Sequence, residues 1–387
     1  MGLFCALLLF NGVGNAQDQP QGVSKQSYDV AAFYWPDYHY DRRLAFIFSD
    51  GKGEWQTIYN AKARDAAERQ PRVPLWGYED EASPKVMDKK IEAATSHGVN
   101  VFIFDWYWYA NQPLLEACLD SGFLVANHNR MKFYIMWANH DATSYWDPDN
   151  PDKGKVYWTG QVDTAVFHTI VHRVITHYFT RPSYYKIDGK PVFSLYELSN
   201  FIKGMGGVAQ ARKALDYFRA ATRAAGFPGL YLQGILWSAI PDQLETETGT
   251  LRGQSAVLAY FGFNSFTNYT WAHVQNPDGA YAKWAEGATA HWQDYARFGL
   301  PYHPHVSIGW DPNPRFPFNV GFVQEGTPQL FKKYLLKAKQ YLQHHPEQPR
   351  LITINAWNEW SEGSYLEPDT LYGMQYLQAV QSVFGQP

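Results

Sequence analysis

The strongest constraint on this chain is a repeated alternation of two hydrophobic periods. From Tyr28 to the end, short apolar runs of β type take turns with longer stretches whose apolar positions recur at helical spacing. Strands are expected at residues 28–35, 99–106, 132–137, 191–196, 230–236, 256–261, 303–308 and 351–356. Helices are expected at 84–97, 112–120, 162–179, 208–225, 279–297, 329–344 and 372–384, with a shorter, weaker helical segment at 241–251. Local chemistry marks the boundaries. Pro36 stops the first strand, Ser83-Pro84 supplies an N-cap and a first-turn proline, and Gly98 follows the helix it ends. Residues 99–106 form an apolar run of the kind that a parallel sheet buries on both faces. Eight strands alternating with helices predict an α/β fold, a single-domain (β/α)8 TIM barrel with long βα loops. The rival, a doubly wound open sheet, would carry a glycine-rich phosphate loop after an early strand. Neither G-x-G-x-x-G nor G-x-x-x-x-G-K-[ST] occurs.

The amino terminus reads differently from the rest. Residues 1–10 are apolar and are followed by the small and polar residues 11–16, the pattern of a secretory signal with Ala16 last before cleavage. Residues 17–27 read as a flexible lead-in, and 28–387 as the barrel domain. The expectation is an exported protein (periplasmic, secreted or at the cell surface) with no integral membrane segment after signal removal, since the apolar run is too short to span a bilayer. Cys118 then stands alone, in an apolar helical pattern that suits a buried thiol. A net charge of -4 gives no electrostatic case for nucleic acid as a partner.

In a barrel of this type, chemistry gathers where strands end and βα loops begin. Those positions carry an unusual set. Tyr34, Trp35 and Asp37 follow the first strand; Asp105, Trp106, Tyr107 and Trp108 the second; Trp137, Asn139, His140 and Asp141 the third. Tyr196 and Glu197 follow the fourth, Trp237 the fifth, Tyr260 and Asn264 the sixth, and Trp310 and Asp311 the seventh. The eighth ends in Asn355, Trp357, Asn358, Glu359, Trp360 and Glu362. Aromatic residues make up 17% of the chain, more amphipathic rings than a core requires, and such rings stack on the apolar faces of sugars. Asp, Asn, Glu and His supply hydroxyl partners. Taken singly, each residue also has a plain structural reading: Asp105 as a helix cap, Trp106 or Trp108 as packing under a loop. The signal is their coincidence at one end. The sugar-binding wall is expected from Tyr34, Asp105, Trp106, Trp137, Asn139, Tyr196, Asn355, Trp357 and Asn358.

No metal or cofactor is expected. His303 and His305 share a strand face and His168 and His172 lie four apart, but neither pair has further ligands at a metal-binding spacing. The long segment 37–81, rich in Asp, Arg, Gly, Tyr and Trp, is of a length that suits a loop over a site.

The fifteen-residue stretch NAWNEWSEGSYLEPD, Asn355 to Asp369, resembles the closing motif of WbsX-like proteins. These are relatives of glycoside hydrolase family 99, the endo-α-mannosidases and endo-α-mannanases. Earlier pieces fit in the same order: AFYWP from Ala32, GVNVFIFDWY from Gly98, WAN from Trp137 and YYKIDGKPVF from Tyr184. The resemblance implies a (β/α)8 barrel whose catalytic carboxylates are Glu359 and Glu362. It further implies a retaining route: Glu359 acts as base on the sugar's own 2-hydroxyl, giving a 1,2-anhydro sugar, and Glu362 is the acid, then the base for water. Such a route suits α-linked mannosides or rhamnosides in an oligosaccharide or polysaccharide. Two other readings remain open: a glycosyltransferase or transglycosylase of surface-polysaccharide assembly, and a glycan-binding barrel without catalysis.

Overall fold

Eight parallel strands form the centre of the computed structural model, which describes residues 27–385 apart from 65, 67, 151, 237–239 and 317–320. The expected signal segment, the lead-in up to residue 26 and Trp237 lie outside the described residues. The strands are β1 (Asp29–Tyr34), β2 (Val101–Tyr109), β3 (Lys132–Trp137), β4 (Lys190–Leu195), β5 (Tyr231–Ile235), β6 (Ser265–Thr267), β7 (His305–Ser307) and β8 (Leu351–Asn355). Neighbours in sequence are neighbours in the sheet from β1 to β6, and β8 lies between β1 and β7. The Phe266 N–H donates to the Pro301 carbonyl at 3.1 Å and the His303 N–H to the Phe266 carbonyl at 3.0 Å. These bonds bring the β6 and β7 edges together and roll the sheet into a (β/α)8 barrel. Helices α1 (Pro84–Ser96), α2 (Thr164–Arg173), α3 (Val208–Ala224), α4 (Gln254–Phe261), α5 (Tyr281–Ala290), α6 (Pro328–His344) and α7 (Gln375–Phe384) form the outer layer. None of the described helices is long and apolar enough to cross a membrane.

Seven strand expectations fall on observed strands, and the sixth does not. Residues 256–261 lie within helix α4, and the real sixth strand is the three-residue Ser265–Thr267. A short apolar run fits a buried helix as well as a strand, so periodicity alone cannot separate them. The segment 241–251 is a β-hairpin, Gln243–Thr246 paired with Gly249–Arg252, where a weak helix is expected. Residues 112–114 extend β2 as an antiparallel strand, and helical structure begins only at Cys118.

Strand period decides which strand-end residues can reach the barrel mouth. Side chains alternate between the lumen and the helix layer. The lumen is polar: Tyr134 and Ser194 both donate to Gln233 Oε1, at 3.1 and 2.6 Å, and His305 lies 2.9 Å from Thr353 Oγ1. Phe33 and His305 pack on this inner side. On the outer side Tyr34 stacks against Phe104 at 4.8 Å and donates to the Met87 thioether, so it faces α1.

Candidate active site

The same alternation places Asp105 and Tyr107 toward the lumen of β2 and sends Trp106 outward. Trp106 Nε1 donates to Glu116 at 2.8 Å, and Trp137 stacks on Phe167 in the helix layer. A cleft of about 510 Å3 opens at the carboxyl end of the barrel. Trp35, Asp105, Tyr107, His140, Trp146, Tyr196, Tyr269, Arg315, Glu359 and Glu362 are among its walls. Four sequence candidates therefore meet here: Asp105, Tyr196, Glu359 and Glu362.

The other seven candidates do not line it. Tyr34, Trp106 and Trp137 face the helices. Asn139 bridges two loops, its Nδ2 donating to the Glu197 carbonyl at 2.7 Å while its Oδ1 accepts from the Glu197 N–H at 2.8 Å. Asn358 makes the same kind of two-way bridge to the Trp35 backbone. Trp357 is fully buried against Phe102, and Asn355 is fully buried at the end of β8. Asn139 and Asn358 thus tie together the segments that carry the site.

The carboxylates are presented by a tight turn after β8. Asn358–Glu359 pairs antiparallel with Ser364–Tyr365, and Gly363, at φ +65°, closes the turn in a conformation that favours glycine. Gly309 approaches so closely that an added Cβ would meet the Gly363 carbonyl at 2.7 Å, which locks the β7 loop against this turn. That loop is pinned in its turn by the long first loop: Arg72 and Gln70 donate to Asp311 Oδ2 at 2.9 and 2.8 Å. The first loop and the β7 loop thus deliver Glu54 and Arg315 to the site.

Arg315 organises the charges. Its Nη2 donates to Glu359 Oε1 at 3.1 Å and to Glu54 Oε2 at 3.0 Å; its Nε donates to Glu54 Oε1 at 2.5 Å; its Nη1 reaches Glu362 Oε1 at 3.3 Å. The guanidinium also sits 4.7 Å over the Trp35 ring. One cation therefore serves three carboxylates, and the environment separates the two on the β8 turn. Glu359 Oε1 has Ser361 Oγ at 3.1 Å as a further partner, and its Oε2 lies 2.8 Å from the Tyr269 hydroxyl. Several donors favour its ionised form. Among the described residues Glu362 has the single 3.3 Å contact, and its Oε2 has no partner. Burial pushes both carboxyls up, against the pull of Arg315, and for Glu362 the neighbouring Glu359 charge pushes further. Glu362 is thus the better proton donor and Glu359 the better base.

Tyr269, Arg315 and Glu54 are not singled out by the sequence. Tyr269 follows the misplaced sixth strand; Arg315 sits in a loop dense in Pro and Asn; Glu54 begins a short helix, Trp55–Asn60, inside the long first loop. The length of that loop was the available signal. Among the described residues, no group of three or more His, Cys, Asp or Glu side chains is arranged to hold a metal ion. His303 and His305 are fully buried and are held neutral by burial.

The chain is thus a (β/α)8 barrel with paired acids in an aromatic cleft at its carboxyl end. The chain belongs to the family described as Glycosyltransferase WbsX, whose model matches residues 30–380. It is similar to the uncharacterized protein WxcX of Xanthomonas campestris pv. campestris, with 25% identity over 358 residues. That match covers 91% of this chain and 49% of the relative, so the chain spans about half the relative's length. Among solved structures it resembles a glycoside hydrolase-like protein with a TM-score of 0.61 at 17% identity, over 94% of this chain and 95% of that one. It also resembles a GH99 endo-alpha-mannosidase from Bacteroides thetaiotaomicron, with a TM-score of 0.55 at 15% identity, over 92% and 95% of the two chains. At these identities the likeness is one of fold.

Proposed function

We propose that the protein is a glycoside hydrolase acting on an α-linked glycan whose reacting sugar carries its 2-hydroxyl trans to the leaving group, as α-mannosides and α-rhamnosides do. The observation that carries this reading is the unequal pair Glu359 and Glu362, held on one guanidinium at the floor of an aromatic cleft. In the first step Glu359 takes the proton of the sugar 2-hydroxyl as O2 bonds to C1. The C1–O bond to the leaving group breaks, and the leaving oxygen takes the Glu362 proton. In the second step Glu362, now ionised, takes a proton from water, whose oxygen bonds to C1. The C1–O2 bond opens, and O2 recovers its proton from Glu359. Two displacements at C1 give net retention. No enzymic nucleophile is needed opposite the leaving group, so both acids can reside on one turn. The aromatic walls, Trp35, Tyr107, Trp146 and Tyr196, supply faces for sugar rings.

The family description favours a second reading, glycosyl transfer, in which an acceptor hydroxyl replaces water in the second step. A panel of glycans and polysaccharides, read for released sugars and for transfer products, separates the two. Hydrolysis is expected, with turnover lost in both Glu359→Gln and Glu362→Gln. Wild-type turnover in both variants, or glycan binding without any bond cleavage, would overturn the proposal.

A further inference from the structure

The Tyr269 hydroxyl lies 2.8 Å from Asp105 Oδ2 and 2.8 Å from Glu359 Oε2. A phenol has one hydrogen to donate. Two contacts of that length to two carboxyl groups therefore need a second proton, carried by one of the carboxyls. The surroundings say which one. Glu359 Oε1 faces the Arg315 guanidinium and the Ser361 hydroxyl, both at 3.1 Å, and these stabilise an anion. Asp105 is 3% exposed, and among the described residues it touches no cation and its Oδ1 has no partner. The charged groups that face it are Glu359 and Glu362 from the β8 turn and Arg315 from the β7 loop; the titratable neighbours are Tyr107, Tyr196 and Tyr269.

We propose that Asp105 is a neutral carboxylic acid that donates its proton to the Tyr269 oxygen and thereby fixes Tyr269 as a hydrogen-bond donor to Glu359. Asp105 is then a positioning residue, acting through Tyr269 on the group we read as the base. The inference rests on that reading of Glu359 for its kinetic consequence, but not for the location of the proton. Burial first, and then the Glu359 charge, push the Asp105 carboxyl well up, in the direction the geometry requires. The free Oδ1 of a neutral acid is a carbonyl-type acceptor at the cleft floor, suited to an uncharged sugar hydroxyl.

Two measurements test this separately. An infrared difference spectrum at neutral pH, wild type minus Asp105→Asn, reads the proton without substrate: a protonated-carboxyl carbonyl band is expected, and a carboxylate band in its place overturns the proposal even if the protein hydrolyses glycans. The second is the pH profile of kcat/KM. Asparagine can donate an N–H to Tyr269 where the acid donated O–H, so Asp105→Asn should keep the wild-type acid limb. Tyr269→Phe removes a donor from the Glu359 anion and should move the acid limb to higher pH. An Asp105→Asn variant that folds but has a displaced acid limb contradicts the proposal. So does a Tyr269→Phe acid limb that stays in place. Failure of the hydrolase reading would leave no kcat/KM to measure, while the infrared result would still stand.

Discussion

Asn358 and Trp35 grip each other in both directions: the Trp35 N–H donates to Asn358 Oδ1 at 2.8 Å, and Asn358 Nδ2 donates back to the Trp35 carbonyl at 2.7 Å. The bridge joins the end of the first strand to the residue immediately before Glu359. Both partners are buried, so the backbone groups have no water to turn to. Replacing Asn358 by alanine leaves them unpaired, at about 1–3 kcal/mol for each group. Thermal unfolding should show the loss, and activity should fall with it because Glu359 loses its neighbour's anchor. Unchanged stability and turnover would show that the bridge does not hold the turn.

A second support lies deeper. Lys90 is fully buried and lies 2.7 Å from Glu367, with Glu81 as its other ion-pair partner. Glu81 accepts from Asn358 Nδ2 at 3.1 Å, and Glu367 accepts from Trp360 Nε1 at 2.9 Å, so the cluster touches the residues on both sides of Glu359. Lys90→Met should destabilise the protein by ~3–5 kcal/mol, since two buried carboxyls lose their counter-ion. Burial, opposed by Lys90, already pushes Glu81 up. Loss of the cation should drive it further toward the neutral form. Chemical denaturation of the variant checks the figure, and a cost under about 1 kcal/mol would be that of a surface pair rather than a buried one.

Arg315 should matter to pH response more than to substrate affinity. In Arg315→Met the carboxyls of Glu54, Glu359 and Glu362 share one buried region without a cation. Like charges that close cannot all persist, so protons bind more readily. The ionised form of Glu359 then requires higher pH. The acid limb of kcat/KM is expected to shift upward with a smaller change in KM. A variant with an unshifted limb would show that the guanidinium does not set the charge of the pair.

The wild-type profile should itself be bell-shaped. Activity falls at low pH as Glu359, needed as an anion, is protonated, and falls at high pH as Glu362, needed as an acid, ionises. Burial raises both groups, so both limbs should lie above the ordinary glutamate value of about 4.3, as properties of the pair rather than of either residue. With an aryl glycoside whose leaving group needs no protonation, Glu362→Gln should keep much of the first step, while Glu359→Gln should not. The reverse order would exchange the two roles.

Much of this fold was legible in the chain because parallel barrel strands are buried on both faces and read as apolar runs. The failure at the sixth strand has a physical cause: Ser265–Thr267 is three residues long with two hydroxyl side chains, while the adjacent helix α4 carries an unbroken apolar run from Ala256 to Phe261. That error hid Tyr269, which sits just beyond the true strand. The glutamates were legible because their motif is dense and local. Arg315 and Glu54 were not, because their role depends on two long loops meeting in space. Strand-end aromatics misled for a third reason. A residue next to the cleft in sequence points away from it at every second position, and Trp106 and Trp137 fall on the outward phase.

The most direct test of the account follows the anomeric configuration of the first-formed sugar by NMR during cleavage of an α-linked substrate found in the glycan panel. Participation of the 2-hydroxyl through Glu359, with Glu362 as acid and then base, predicts the α-anomer first, with the β-anomer appearing only by mutarotation. A β-anomer formed first would mean a single displacement at C1 and would contradict the roles assigned to both glutamates.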